Sequence, residues 1–128
     1  MATWITILIT DLLIPVIMIV FGRVFLHAAP KEINFLYGYR TARSMKNRET
    51  WAFAHRHIGR IWGILGWILL LLTALGMALL WGRDEALIGT VGTVYCVLQL
   101  IALILSLVPT ELALKKHFHE DGTPRESK

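Results

Sequence analysis

Charge is the scarce element of this sequence. No Asp, Glu, Lys or Arg occurs from Ile61 to Gly82 or from Ala86 to Thr110. A third stretch, Trp4 to Gly22, holds a single acid, Asp11. Runs this long exclude an ordinary soluble fold, because about 20 apolar helical residues cross a hydrocarbon core of about 30 Å. Three strands cannot close a barrel, so the runs read as helices. There is one cysteine, Cys96, which excludes an intrachain disulfide. It reads as a small apolar packing residue. No cationic segment precedes the first run, which argues against a cleaved signal peptide and for a retained anchor. There is no glycine-rich phosphate loop, no His-Glu-x-x-His and no Ser-His-Asp spacing, so no enzymatic activity and no cofactor are expected.

What is abundant is apolar residues, 55% of the chain, and positive charge. The fold class expected is an all-α membrane protein with three transmembrane helices. The first covers about 4–26 and a connector about 27–46. The second, with an extension beyond the membrane, covers about 47–82, the third about 86–112, and a tail 113–128. The whole chain reads as one membrane domain. Eight cations lie between Arg23 and Arg60, and four more, Lys115, Lys116, Arg125 and Lys128, lie in the tail. Only Arg83 lies in the short second connector. The positive-inside rule puts the first connector and the tail in the cytoplasm and the N-terminus outside. The net charge of +4 then describes a basic membrane face that attracts anionic lipid headgroups, not a nucleic-acid binder. Trp4 and Trp81 fall together at the outer interface.

Polar and small residues within the spans mark contacts. Gly59, Gly63 and Gly66 lie near one face of the second helix. Packing within the three-helix bundle and a homodimer face are both open readings. Pro15 and Pro109 can kink their helices. Asp11 lies about 10 Å deeper than Trp4, near the level of Thr73, Thr90, Thr93 and Tyr95. An acid at the bilayer centre costs about 2.5–3.5 kcal/mol on insertion scales. Asp11 is therefore either a hydrogen-bonded structural group or part of a proton- or ligand-linked site. Gln99 reads as an interhelical hydrogen bond.

The first connector is dense in functional groups. Pro30 ends the first helix. Phe35, Leu36, Tyr37 and Tyr39 form an aromatic and apolar segment suited to the headgroup level. Gly38 between two tyrosines marks a turn or close backbone contact. Arg40 can grip a phosphate or carboxylate with two hydrogen bonds. Thr41 and Ser44 add hydroxyls. Ser44 or Asn47 caps the next helix, with Glu49 in its first turn. Trp51, His55, Ile58 and Trp62 then fall on one stripe. His55 and His57 point to nearly opposite sides of a helix, and His117 and His119 have no acid or thiol partner pattern, so no metal site is expected. Solvated interfacial histidines are the simpler reading. The charged tail reads as solvated and loosely ordered.

The order Pro30, Asn34, Gly38-Tyr39-Arg40-Thr41, Ser44, Asn47, Trp51, Ala54, Gly59, followed by two apolar helices, resembles the SdpI family of small bacterial integral membrane proteins. The resemblance runs from Pro30 to the end of the third helix. One departure is His55, where asparagine is more usual; another is length, the namesake having more spans. The resemblance implies a multi-pass protein of the bacterial inner membrane, acting as an immunity protein against a toxic peptide and as a receptor that holds a cytoplasmic repressor. It carries over Asn34, Arg40, Thr41 and Trp51 as its characteristic set, and with Tyr39 and Ser44 beside them these six are the expected ligand- or partner-binding residues. Two other classes stay open: a small proton-linked transporter or channel-like dimer using Asp11, and an anionic-lipid binder at the cytoplasmic face.

Overall fold

The computed structural model describes residues 1–34 and 36–125; Phe35 and Lys128, both singled out above, lie outside the described residues. Four helices are present: α1 Ala2–His27, α2 Arg48–Leu79, α3 Glu85–Leu105 and α4 Leu107–His117. α3 and α4 together make one span, Glu85–His117, so three helical segments are long and apolar enough to cross a membrane. α2 has 32 residues, about 48 Å of helix, which exceeds a hydrocarbon core.

The packing is that of a helix bundle built for lipid. Large apolar side chains such as Ile9, Leu13, Val20, Ile64, Leu71 and Ile104 face outward. The buried positions hold Asp11, Thr73 and Gln99 together with Gly22, Gly59, Gly66 and Gly92. Lipid tails are as apolar as leucine, so close van der Waals approach and hydrogen bonds, rather than hydrophobic exclusion, select what faces inward. α1 and α2 meet through glycine. A Cβ on Gly22 would come within 2.8 Å of the Gly63 backbone nitrogen, and one on Gly59 within 2.8 Å of the Gly22 carbonyl. Gly66 abuts Ile19 and the Pro15 carbonyl in the same way. The glycine face of α2 is thus occupied by α1 of the same chain.

Two prolines act differently. Pro15 lies inside α1, which continues through it. Lacking an N–H, it leaves the Asp11 carbonyl without its intrahelical donor. Gln99 of α3 answers that carbonyl, its Nε2 lying 2.8 Å from it. Pro109 sits in the first turn of α4, just after the break at Ser106. A proline ring clashes with the carbonyl four residues back, here Leu105, which is the last residue of α3.

α2 starts on a capping box: the Asn47 side chain accepts from Thr50 N–H at 2.9 Å, and Asn47 N–H donates to Thr50 Oγ1 at 3.1 Å. The tail corrects its sequence reading. Through Arg125 it is folded back rather than loosely solvated. Phe118 is buried and bridges to Pro124, and Arg125 Nε donates to the Lys115 and Phe118 carbonyls. Asn47 Nδ2 donates to the Gly122 carbonyl at 2.6 Å, tying the tail to the head of α2. Phe118 packs edge-on to Phe53, 5.5 Å between centroids, and this aromatic contact supplies the driving force that a polar composition conceals.

Candidate functional site

The connector is a cap across the end of the bundle. Asn34 opens it: its Oδ1 accepts from Leu36 and Tyr37 N–H, both at 2.9 Å, in an Asx-type turn. Gly38 follows with φ +121°, a region that L side chains rarely adopt. A Cβ there would also lie 2.8 Å from His55 Nε2 and 3.0 Å from the Trp51 ring. This turn aims Tyr39 inward. Its N–H donates to His55 Nε2 at 2.9 Å, which requires that nitrogen to be unprotonated. The ring proton therefore sits on Nδ1, 2.7 Å from the Trp51 carbonyl. His55 is fully buried, edge-on to Phe25 at 4.8 Å and beside Trp51 at 4.4 Å. Reading it as a solvated histidine fails, because the cap closes over it.

A single carboxylate of α4 holds the cap to the third span. Tyr39 OH donates to Glu111 Oε2 at 2.7 Å, and Thr41 Oγ1 donates to the same oxygen at 3.0 Å. Burial first, then the hydrogen bond and charge of Glu111, pushes the Tyr39 phenol above the usual tyrosine range. Hydrogen bonds to a charged group are worth about 1.5–3 kcal/mol each. Ser44, fully buried, closes the turn. Its hydroxyl donates to the Tyr39 carbonyl at 2.8 Å and accepts from Thr41 N–H at 2.8 Å. Trp51 pins the start of the connector, its Nε1 donating to the Pro30 carbonyl at 2.6 Å. An exposed ion pair, Arg48–Glu32 at 2.6 Å, adds little.

The structure brings Asn34, Tyr39, Thr41, Ser44 and Trp51 of the sequence-derived set together in this cap. Asn34, Thr41 and Ser44 shape the backbone, Tyr39 bonds to Glu111, and Trp51 bonds to Pro30. Tyr39 is 5% exposed, so it faces the bundle and not the headgroups as expected; among the described residues of that segment, Leu36 and Tyr37 stand out at the surface. Arg40 is exposed on the outer face of the cap. Sequence reasoning missed Glu111 and the role of His55. Glu111 is the one acid between Glu85 and Glu120, a signal that was available. His57 turns away and bonds to Thr110 Oγ1 at 2.8 Å.

At the other end, Asp11 is 2% exposed. Gln99 Nε2 joins its carbonyl to Thr73 Oγ1, at 2.8 and 3.1 Å. A cavity of about 80 Å³ lies beside Asp11, with Thr73 and Tyr95 in its wall. Thr90 and Thr93, expected at the same level, face outward instead. Trp4 and Trp81 meet edge-on at 4.7 Å at this end, and Trp4 Nε1 donates to the Met77 carbonyl at 2.7 Å.

The model of the SdpI/YfhL protein family matches residues 31–110, which covers the cap, α2, α3 and the start of α4. A curated relative, "Uncharacterized protein YfhL" of Bacillus subtilis (strain 168), is 31% identical over 109 residues, 85% of this chain and 89% of the relative. No solved structure matches this chain. With a matching family model over most of its length and a full-length relative, this multi-pass membrane chain belongs to the SdpI/YfhL protein family.

Proposed function

We propose that the protein is a membrane receptor of the immunity type. It protects the cell from a membrane-active toxic peptide and relays that encounter to a soluble regulator at the connector. The observation that carries this reading is the clasp on Glu111. Tyr39 and Thr41 both hang from one carboxylate of the third span, so a tilt or rotation of that span moves the cap with it. A helix shift of this kind is a common means of carrying a binding event from one end of a protein to the other. Arg40, exposed beside the clasp, gives the regulator a forked cation to grip.

In this reading the connector and tail face the cytoplasm of a bacterium, as the Lys/Arg distribution favours. The N-terminus and the Gly82–Arg83 turn face outward. The basic face also meets anionic headgroups, and two copies pairing through lipid-facing helix surfaces is compatible with it. The test is expression in a peptide-sensitive bacterium, challenged with a panel of membrane-active peptides. Protection is expected against at least one peptide. Glu111→Gln and Tyr39→Phe should weaken the regulator response while the protein still accumulates in the membrane. Unchanged killing across the whole panel would sink the immunity reading.

A further inference from the structure

Arg56 and Arg60 are the last cations of α2 before the uncharged run from Ile61 to Gly82. Both are exposed. With Phe53 and His57 they line a cleft of about 150 Å³. Among the described residues neither Arg56 nor Arg60 meets an acid. Like charges four residues apart on a helix repel each other, so the pair gains from an anion placed between them. The other side of the cleft is held in place. Phe53 stacks on His57 at 5.9 Å between centroids, and His57 Nδ1 lies 2.8 Å from Thr110 Oγ1 of α4.

An apolar groove of about 470 Å³ begins where the cleft ends. Arg60 adjoins Ile61 of the groove, and Thr110, the partner of His57, adjoins its Pro109. Ile61, Ile64 and Ile68 of α2 line one side, and Ala102 and Leu105 of α3 with Pro109 of α4 line the other. α2 and α3 each pack on α1 rather than closely on each other, which leaves the space between them open. Ser106 also lines the groove, but its hydroxyl is satisfied: it accepts from Trp62 Nε1 at 2.9 Å and donates to the Leu103 carbonyl. The groove therefore offers hydrocarbon. Phe53, His57, Arg60, Ile64 and Ile68 fall on one stripe of α2, and Arg60 to Ile68 covers about 12 Å of helix. Cleft and groove thus make one track along α2, cationic at the end nearer the connector and apolar below.

That pattern fits an amphiphile standing in the bilayer. Arginine forks two hydrogen bonds onto phosphate, and an acyl chain fills the groove. Basic pockets between membrane helices are known to take anionic headgroups. A free phosphate would leave the groove unused. A zwitterionic headgroup would bring its own cation up to the arginines, and no acid lines the cleft to receive it.

We propose that this track is a binding site for one anionic phospholipid, with Arg56 and Arg60 on its phosphate and an acyl chain between α2 and α3. The site rests on the attraction of the basic face for anionic headgroups and gives it one definite place. It is independent of the immunity reading.

The probe is short-chain phosphatidylglycerol, titrated into the purified full-length protein in a neutral detergent. Retained lipid is counted by native mass spectrometry and stability is followed by thermal melting. Phosphatidylcholine with the same chains, and glycerol phosphate with none, are the controls. One phosphatidylglycerol retained per chain, with a raised melting temperature, is expected. Phosphatidylcholine should be retained far less, and glycerol phosphate at equal concentration should not displace the lipid. Arg56→Gln together with Arg60→Gln should weaken retention by about 10- to 100-fold, the size of one or two lost charge-assisted hydrogen bonds. Lys115→Gln together with Lys116→Gln removes the same charge elsewhere in the chain and should leave retention nearly unchanged. Equal weakening by the two double variants would overturn the site and leave only a diffuse basic face. Equal retention of the two lipids by the parent protein would overturn the site and the attraction on which it rests. Displacement by glycerol phosphate would identify a free anion as the occupant and overturn the lipid assignment.

Discussion

Replacing Gln99 by leucine probes the physical account of the bundle interior. Gln99 is fully buried and bridges the Asp11 carbonyl to Thr73 Oγ1. Leucine retains much of the volume and removes both bonds. An interhelical hydrogen bond in a membrane bundle is worth about 0.6 kcal/mol on average and up to about 1.7 kcal/mol. Two such bonds set the loss at about 1–3 kcal/mol, reduced somewhat because Gln99 Oε1, which has no partner among the described residues, disappears as well. The revealing part is the role of Pro15. The Asp11 carbonyl depends on Gln99 only because proline has no N–H to offer it. In a Pro15→Ala background the helix can supply that donor, and Gln99→Leu then removes only the Thr73 bond. Gln99→Leu should cost about 1 kcal/mol less there than in the parent. Reversible unfolding of the four proteins in mixed detergent micelles, followed by tryptophan fluorescence, measures the cycle. An equal cost of Gln99→Leu in both backgrounds refutes the reasoning.

Gly38→Ala should destabilise the cap by about 1–3 kcal/mol, since it combines a strained φ with a Cβ 2.8 Å from His55 Nε2. Gly89→Ala, where a Cβ meets nothing, should be neutral or stabilising by up to about 1 kcal/mol; thermal melts of the pair check both. The raised Tyr39 phenol gives a signed pH dependence. Its neutral form stabilises the cap fully below the ordinary tyrosine value of about 10, and that contribution is lost as pH rises through the higher folded value. An absorbance titration at alkaline pH should show a step that Tyr39→Phe removes; a spectrum unchanged by the substitution contradicts the clasp. Asn47→Ala should cost about 1 kcal/mol through the lost cap and also release Gly122. Hydrogen exchange should then speed up both at Thr50 and in the folded-back tail; protection retained in the tail would show that Asn47 does not hold it.

The amino-acid sequence by itself determined the three spans, because uncharged runs of that length have one stable solution in lipid. It also narrowed the capped start of α2 to Ser44 or Asn47 with Glu49 in the first turn, and the folded structure selects Asn47, boxed with Thr50. The crowded connector was legible as more than a linker, since Gly38 and its polar neighbours exceed what a turn needs. Which way those groups point was not legible. Tyr39 suits a headgroup layer by composition, and only the approach of α4 turns it toward Glu111, 72 residues away. The tail, polar by composition, folds back because Phe118 finds Phe53 and Gly122 finds Asn47. Pro15 alone implies an orphan carbonyl. That Gln99 answers it from 88 residues away is a fact of packing. Periodicity and local capping are written along the chain, whereas the pairing of distant polar groups follows from which helix faces meet, and only the folded bundle decides that.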